Sequence, residues 1–382
     1  MTALEYVIPF NKPYLTGKEI KYIYEAHSCA QLAGDGKFTA LCCRWLETNI
    51  NCVHALLTHS CTAALEMAAL LLNIKPGDEV ILPSYTFVST ANAFVLRGAI
   101  PVFIDIKQSD LNMDEGLIKK AITSKTRCIV PVHYAGVACE MNIIMKIARE
   151  NNLLVVEDNA QGIKTQYRGR ELGSIGDIGT LSFHETKNLI SGEGGALLIN
   201  DSQYAERARI LRDKGTNRSQ FMEGTVDKYS WVDLGSSYLP GELISAFLWA
   251  QMQDLVLITE QRLSIWKKYH ESFDELEIQG KLRRPFIPEY STNNAHMYYL
   301  ILNSEEERYE FIKHMKNQGI MCVFHYVPLH TSEMGKKLGR VSGDLKQTEM
   351  LSKCLVRLPL WLGVEKYQDY IIKSASEFFA LK

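Results

Sequence analysis

Between about residue 54 and residue 200 the chain alternates short β-branched or apolar runs with segments of helical period. The runs His54–Thr58, Glu79–Pro83, Ile100–Asp105, Cys128–Val132, Leu153–Glu157, Gly179–Phe183 and Gly195–Ile199 predict strands. Helical patterns separate most of them. Thr62–Asn73 carries apolar residues at 65, 68, 69 and 72, and Val88–Arg97, Asp114–Ile122 and Glu140–Asn151 follow the same logic. Strands alternating with helices predict an α/β unit with a mostly parallel sheet flanked by helices. Ligands on such sheets collect at the carboxyl ends of the strands, so the residues that follow each run carry the interest.

Beyond the sheet region, Ser202–Arg212 reads as helical, and Glu242–Leu276 contains neither glycine nor proline. That second stretch predicts a long helix leading into another domain. The remaining third reads as a smaller α+β unit, with Ala295–Leu302 and Met321–Phe324 as strands. Ser304-Glu-Glu-Glu307 matches a capping box opening a helix that Gly319 would close, and Lys366–Leu381 is an amphipathic terminal helix. The expected division is a large domain over residues 1–245, with an N-terminal arm, and a small C-terminal domain over residues 246–382.

Composition narrows the function. Of 382 residues 46% are hydrophobic, and 42 basic against 44 acidic side chains leave a net charge of −2. No general positive field is available for nucleic acid or an anionic membrane. No apolar run reaches the length of a membrane span; Ala63–Leu72 already contains Glu66. The opening MTALEYVIPFNKPY lacks a basic segment followed by an apolar core, so the expected compartment is the cytoplasm. Nine cysteines, an odd number without C-x-x-C spacing, are expected to be reduced thiols rather than disulfides or zinc ligands. No metal site is expected: His184-Glu185 is followed by Thr186-Lys187-Asn188, which is not a zinc-binding helix motif.

The chemistry concentrates in Leu153-Leu-Val-Val-Glu-Asp-Asn-Ala-Gln161 and Thr180-Leu-Ser-Phe-His-Glu-Thr-Lys-Asn188. Asp158 follows one predicted strand and Lys187 lies just past another, at the ligand-binding edge. A salt bridge between them is the plainer reading of such a pair. Their surroundings fit pyridoxal 5'-phosphate, which needs a lysine amine for a Schiff base and a carboxylate to keep its ring nitrogen protonated. It also needs a phosphate cup. Thr58-His-Ser-Cys-Thr62 puts small and hydroxyl residues, Ser60 and Thr62 among them, between a strand and a helix N-terminus, where free N–H groups favour an anion. Plain N-capping is compatible with that role. Ser182 could add a hydroxyl, and Phe87, otherwise a core residue, could cover the ring.

Ser182-Phe-His-x-x-Lys187-Asn and Gly192-Glu-Gly-Gly195 resemble the motifs of the DegT/DnrJ/EryC1 sugar aminotransferases. These are fold-type I, aspartate-aminotransferase-like enzymes, and the resemblance runs from Ile8-Pro-Phe-Asn11 to the final helix. It implies that Lys187 forms the Schiff base and shuttles a proton, and that Asp158 partners the pyridinium. By the same match Gln161 lies near the cofactor's 3′-oxygen, Ser60, Cys61, Thr62 and Ser182 form the phosphate cup, and Phe87 stacks on the ring. It also implies a homodimer with shared active sites. Cys61-Thr-Ala-Ala-Leu-Glu-Met67, Thr86–Gly98, His133–Glu140 and Lys214–Phe221 resemble the branch that acts on dTDP-linked 4-keto-6-deoxyhexoses. That branch uses glutamate and releases 2-oxoglutarate. The 4-aminotransferases yielding the gluco epimer, 3-keto-sugar aminotransferases and a non-catalytic cofactor-binding regulator are the alternatives. Lys187 argues against the dehydratase branch, which has histidine there.

Three positions depart from the family pattern. Cys61 replaces a usual glycine and Asn159 a usual alanine or cysteine. Leu239, in Tyr238-Leu-Pro-Gly-Glu242, stands where many relatives place an asparagine that reaches the partner subunit's phosphate. For the sugar, the loop Asp213–Gln220 offers two cations, Lys214 and Arg218, suited to a diphosphate. His325 is a further substrate-binding candidate, while His133, His184, His296 and His330 read equally well as structural residues.

Overall fold

The structure, a computed structural model, describes residues 7–380. The start of the opening segment, Met1–Tyr6, and the expected helix end at Leu381 lie outside the described residues. The first strands are β1 (His54–Thr58), β2 (Glu79–Pro83), β3 (Ile100–Ile104), β4 (Thr126–Ile129) and β5 (Leu154–Asp158). They are followed by β6 (Gln166–Tyr167), β7 (Arg170–Glu171), β8 (Ile178–Ser182) and β9 (Gly195–Ile199). The last three are β10 (Tyr298–Ile301), β11 (Arg340–Val341) and β12 (Leu355–Leu358).

Eight of these form one sheet in the order β1-β9-β8-β5-β4-β2-β3-β11. Every neighbouring pair is parallel except those of β9, which runs antiparallel to β1 and β8. Strand residues alternate between two faces. Leu56, Val80, Leu82, Val156 and Leu197 pack under the helices Cys61–Leu71 and Val88–Val95. On the opposite face Ile81 and Val155 meet the helix Met141–Glu150, and Ala55, Leu57 and Leu198 meet Lys37–Leu46. Covered on both sides, β2, β8 and β9 are buried along their whole length, as the near-continuous apolar runs require. The fold is the expected α/β arrangement, and the ends of β1, β2, β5 and β8 share one edge.

A second core gathers Tyr269, Phe273, Tyr298, Leu300, Phe311, Met315 and Phe378 around the antiparallel pair β10–β12. Chain segments cross between the two units. Ile8 enters the second core and pairs with Ile320, and β11 joins the large sheet as a parallel neighbour of β3.

Local chemistry explains where elements differ from the sequence pattern. β4 ends at Ile129 because Pro131 has no N–H to donate; its carbonyl still accepts from Asp158 N at 2.9 Å. β3 ends at Ile104, and Asp105 instead receives the N–H groups of Gln347 and Thr348 at 2.9 and 2.8 Å. The helical pattern of Asp114–Ile122 forms a 3₁₀ turn and only four α-helical residues. Glu242–Leu276 is three helices: Asp254 (φ −109°, ψ 8°) breaks it where its carboxylate takes Lys18, and Phe273 breaks it again. Ala295 adopts φ 52°, fixed by the Asn293 and Asn294 side chains, so the expected strand begins only at Tyr298. Met321–Phe324 is not a strand, because its neighbourhood is split between single bridges to Ile8 and to Arg357. The capping box holds: Ser304 Oγ accepts from Glu307 N and the Glu307 carboxylate from Asn303 N.

One buried carboxylate ties the N-terminal helices to the domain. Glu242 accepts from Gly36 N at 3.1 Å, Phe38 N at 2.7 Å and Thr39 N at 3.0 Å, the first N–H groups of the helix Lys37–Leu46. Removing it leaves those donors dry. Glu242→Ala should therefore lower stability by about 2–4 kcal/mol in urea unfolding, with Glu242→Gln recovering part of the loss.

Candidate active site

Four strand ends and two walls enclose a cavity of about 520 Å³ at the carboxyl edge of the sheet. The turn after β1 brings Ser60, Cys61 and Thr62 to it; the turn after β2 brings Phe87, with Ser89 and Thr90 on the following helix. β5 ends on Asp158, with Gln161 just beyond, and β8 ends on Ser182, with Lys187 five residues further. The second unit closes the opposite wall with His296, His325, Tyr326 and Arg357, and Arg262 reaches in from its helix. The N-terminal arm contributes Phe10 and Asn11.

Close packing makes this junction. Gly195, the first residue of β9, pairs with both Thr58 and Ser182. A Cβ there would lie 2.4 Å from Cys61 N and from Ser60 C, so only glycine lets β9 reach the start of the helix Cys61–Leu71. That helix presents its first N–H groups and its dipole to the cavity. Ser60 caps it by accepting from Ala63 N at 3.0 Å, which leaves the hydroxyl proton free to donate. The helix end and the Ser60, Thr62 and Ser182 hydroxyls form a cradle suited to a phosphate group.

Asp158 is buried and held on both oxygens: Thr90 Oγ1 donates to Oδ2 at 2.7 Å and Ala160 N to Oδ1 at 3.2 Å. Behind it, Glu157 accepts from Gly173, Ile175 and Gly176 N–H groups at 2.9, 2.7 and 2.6 Å. His133 Nδ1 accepts from Cys139 N at 3.1 Å, so its Nε2 carries the proton that it donates to Glu157 at 2.9 Å. Desolvation opposes the Glu157 charge, but His133 and the N–H groups hold its carboxyl below the ordinary range. His133 N in turn donates to the Asp158 carbonyl. This network fixes the end of β5, and it makes His133 a structural residue.

Lys187 is half-buried and lines the cavity. Desolvation pulls its amine below the usual 10.5, and the positive charge of Arg357 adds to this against the opposing pull of Cys61 and Asp158. Gln161 is clamped between Ala135 N, which donates to Oε1 at 2.7 Å, and Tyr326 OH, which accepts from Nε2 at 2.8 Å. Phe87 is 56% exposed and tilted against Tyr326, leaving its ring open to the cavity. His325 stacks on Tyr326 with centroids 3.6 Å apart and bonds Tyr134 OH through Nδ1 at 2.8 Å. Burial drives both His296 and His325 well below 6.5, so each stays neutral at physiological pH.

All nine residues proposed for catalysis, cofactor contact or a histidine contact line the one cavity; Lys214 and Arg218 do not. Lys214 pairs with Asp213 at 2.9 Å and Arg218 with the same carboxylate at 3.5 Å, just past the helix Ala205–Arg212. His184 lines the cavity and bonds Thr186, whereas His330 bonds Ser84 and Glu349 away from it. Thr90, Tyr326, Arg262 and Arg357 escaped the sequence reading. Arg357 left one trace: a charged residue inside the apolar run Leu355-Val-Arg-Leu358, which folds as β12. Among the described residues no group of histidine, cysteine or carboxylate side chains could hold a metal ion, and no helix is long and apolar enough to cross a membrane.

Residues 13–375 match the DegT/DnrJ/EryC1/StrS aminotransferase family. The spore coat polysaccharide biosynthesis protein SpsC of Bacillus subtilis is 31% identical over 365 residues, covering 93% of this chain and 92% of that one. Among solved structures, the aminotransferase TlmJ from Streptoalloteichus hindustanus superposes with a TM-score of 0.89 at 27% identity, covering 98% of this chain and 99% of that one. A DegT DnrJ EryC1 StrS aminotransferase from Brucella abortus gives 0.86 at 26% identity, with 95% of each chain covered. The chain belongs to this family: it is a pyridoxal-phosphate-dependent sugar aminotransferase of the aspartate-aminotransferase-like fold. The cradle at Gly195 and the pair Lys187–Asp158 fit that cofactor.

Two outcomes follow from this geometry. Gly195→Ala should weaken retention of pyridoxal phosphate by about 10- to 100-fold, read from bound-cofactor absorbance during dilution, because backbone rather than a flexible side chain must give way. The lowered Lys187 pKa means that more of its amine is neutral at a given pH than in free lysine. Cofactor capture by the cofactor-free protein should therefore rise with pH and level off below 10.5, which stopped-flow absorbance would follow.

Proposed function

We propose that this family member transfers the amino group of glutamate to C4 of dTDP-4-dehydro-6-deoxy-D-glucose. The products are dTDP-4-amino-4,6-dideoxy-D-galactose, for cell-surface polysaccharide synthesis, and 2-oxoglutarate. One observation carries the chemistry: Lys187 and Asp158 face a common cavity whose floor is the cradle at Ser60–Thr62. The sugar is supported by sequence. Thr86–Gly98, His133–Glu140 and Lys214–Phe221 resemble the dTDP-4-amino-4,6-dideoxygalactose transaminase of enterobacterial common antigen synthesis. SpsC, whose name places it in spore coat polysaccharide biosynthesis, supports the wider role.

Bound pyridoxal phosphate supplies an electron sink for the bond broken at the amino carbon. Asp158, its carboxylate held by Thr90 and Ala160, keeps a proton on the ring nitrogen. Lys187 Nζ takes the α-proton of glutamate in the first half-reaction and delivers a proton to C4 of the sugar in the second. Phe87, open to the cavity, would cover the cofactor ring, and Gln161, clamped by Ala135 and Tyr326, would hold its edge. The wall of neutral histidines and tyrosines excludes bulk water from the amine.

The proposed homodimer gives the Asp213–Gln220 loop its role. Lys214 and Arg218 do not line the candidate site of their own chain, so they would hold the sugar diphosphate in a partner subunit.

Borohydride reduction of the cofactor-loaded protein, followed by peptide mapping, should fix a pyridoxyl group on Lys187 and nowhere else. Lys187→Ala should fold and retain cofactor yet turn over at least about 1,000-fold more slowly. Product NMR with dTDP-4-dehydro-6-deoxy-D-glucose reads carbon position and epimer together, and an equatorial 4-amine or a 3-amine would replace the substrate assignment. For the loop, mixed dimers of Lys187→Ala with Arg218→Ala contain one intact site only if Arg218 acts across the interface. Activity should reappear on mixing.

A further inference from the structure

Arg357 stands in β12, with Val356 and Leu358 buried in the second core, and its side chain lines the cavity opposite Lys187. Its guanidinium lies 4.6 Å from the centre of the Phe10 ring, and one terminal nitrogen donates to the Phe324 carbonyl at 3.2 Å. Its Nε is buried and takes no hydrogen-bond partner among the described residues. The groups that act on its charge are the hydroxyls of Tyr134, Tyr326 and Tyr85; no carboxylate is among them.

Buried unpartnered nitrogens also occur on Arg283 and Arg308, but neither of those lines the cavity, and other arginines of this chain are matched to carboxylates. Arg340 meets Glu79 through two bonds of 2.8 and 2.7 Å, and Arg207 meets Asp233 at 2.7 Å. Arg262, the other arginine in the cavity wall, spends Nε and one terminal nitrogen on the carbonyls of Ala295 and His296. Partly desolvating a cation with no anion beside it is unfavourable, and an apolar residue would serve a purely structural position better. The half-buried charge instead faces the cavity, close enough to act on the Lys187 amine that must meet the donor. Of the two acidic groups lining the cavity, Asp158 is committed to Thr90 and Ala160, and Glu193 lies beside His184, its Oε1 3.6 Å from Nε2. His296 and His325 are neutral, so the Arg357 end of the cavity carries uncompensated positive charge.

We infer that Arg357 anchors a carboxylate of the amino donor, and so selects an amino acid as the first substrate. The inference rests on the transaminase reading and deepens it. A guanidinium fork matches a carboxylate through two parallel bonds, and the keto sugar offers no such group on its hexose. A diphosphate is the other anion that could take the fork, and the sugar half-reaction separates the two.

Arg357→Met keeps the side chain's bulk without its charge, and Arg357→Lys keeps the charge without the fork. In cofactor-loaded protein, the half-saturation concentration for glutamate should rise about 10- to 100-fold in Arg357→Met, with partial recovery in Arg357→Lys. The half-saturation for the keto sugar should change less than about threefold. A second readout needs no turnover: calorimetric titration with glutarate, a dicarboxylate with neither amine nor ketone, should show binding to the wild type and at least about tenfold weaker binding to Arg357→Met. Unchanged glutamate saturation and glutarate affinity in Arg357→Met would overturn the assignment. So would a loss confined to the sugar arm, which would give Arg357 to the diphosphate, or an equal loss in both arms with cofactor escaping, which would make it structural. A wild type whose absorbance never responds to glutamate fails the transaminase reading instead, while the glutarate titration still reports on Arg357.

Discussion

The approach of β9 to the helix Cys61–Leu71, with no room for a side chain at Gly195, is the constraint on which the site depends. Gly195 pairs across to Thr58 on one side and Ser182 on the other, so a single backbone position sets the spacing between the anion cradle and the lysine turn. The reversal of β9 in an otherwise parallel sheet makes this possible, since it brings the start of one strand among the ends of the others. With that distance set, the ends of β5 and β8 present Asp158 and Lys187 to the same space, and the Glu157–His133 network keeps the first of them from drifting.

The cavity is a joint product of two cores. The large sheet supplies the groups that handle protons and the anion, and the second unit supplies aromatic rings, neutral histidines and Arg357. This division has an electrostatic effect. Burial within this wall pulls the Lys187 amine below the ordinary lysine range, with Arg357 adding to the shift and Cys61 and Asp158 opposing it. The N-terminal arm completes the wall: Phe10 covers Arg357 and Asn11 bonds the Glu185 carbonyl.

The large sheet was legible in the sequence because all its strands but β11 are short, apolar and bounded by turn residues, and because chemistry on such sheets gathers at one edge. That logic reaches Asp158, Lys187, Ser60 and Phe87 directly. It stops where a residue acts through a contact distant in sequence. Thr90 holds Asp158 from 68 residues away, and Tyr326 meets Gln161 across 165. No local period announces either. β11 is two residues long and β12 carries an arginine in its middle, so neither resembles a strand in isolation. Lys214 and Arg218 are conspicuous as cations in the sequence, but within one chain they pair with Asp213 and stand away from the cavity, so what they serve depends on a neighbour the sequence does not show.

The pairing of β11 with β3 sets the order in which the molecule can be finished. Val102 is made early and its neighbour Arg340 about 240 residues later, and Ile8 waits still longer relative to its own position for Ile320. Until the last part of the chain leaves the ribosome, β3 is an open edge able to pair with another chain, and the arm at Ile8 has nowhere to dock. Both closures arrive with the segment that also delivers Tyr326 and Arg357. A nascent chain thus becomes safe from aggregation at nearly the same moment as its cavity gains its second wall, and a chain stopped short would have neither.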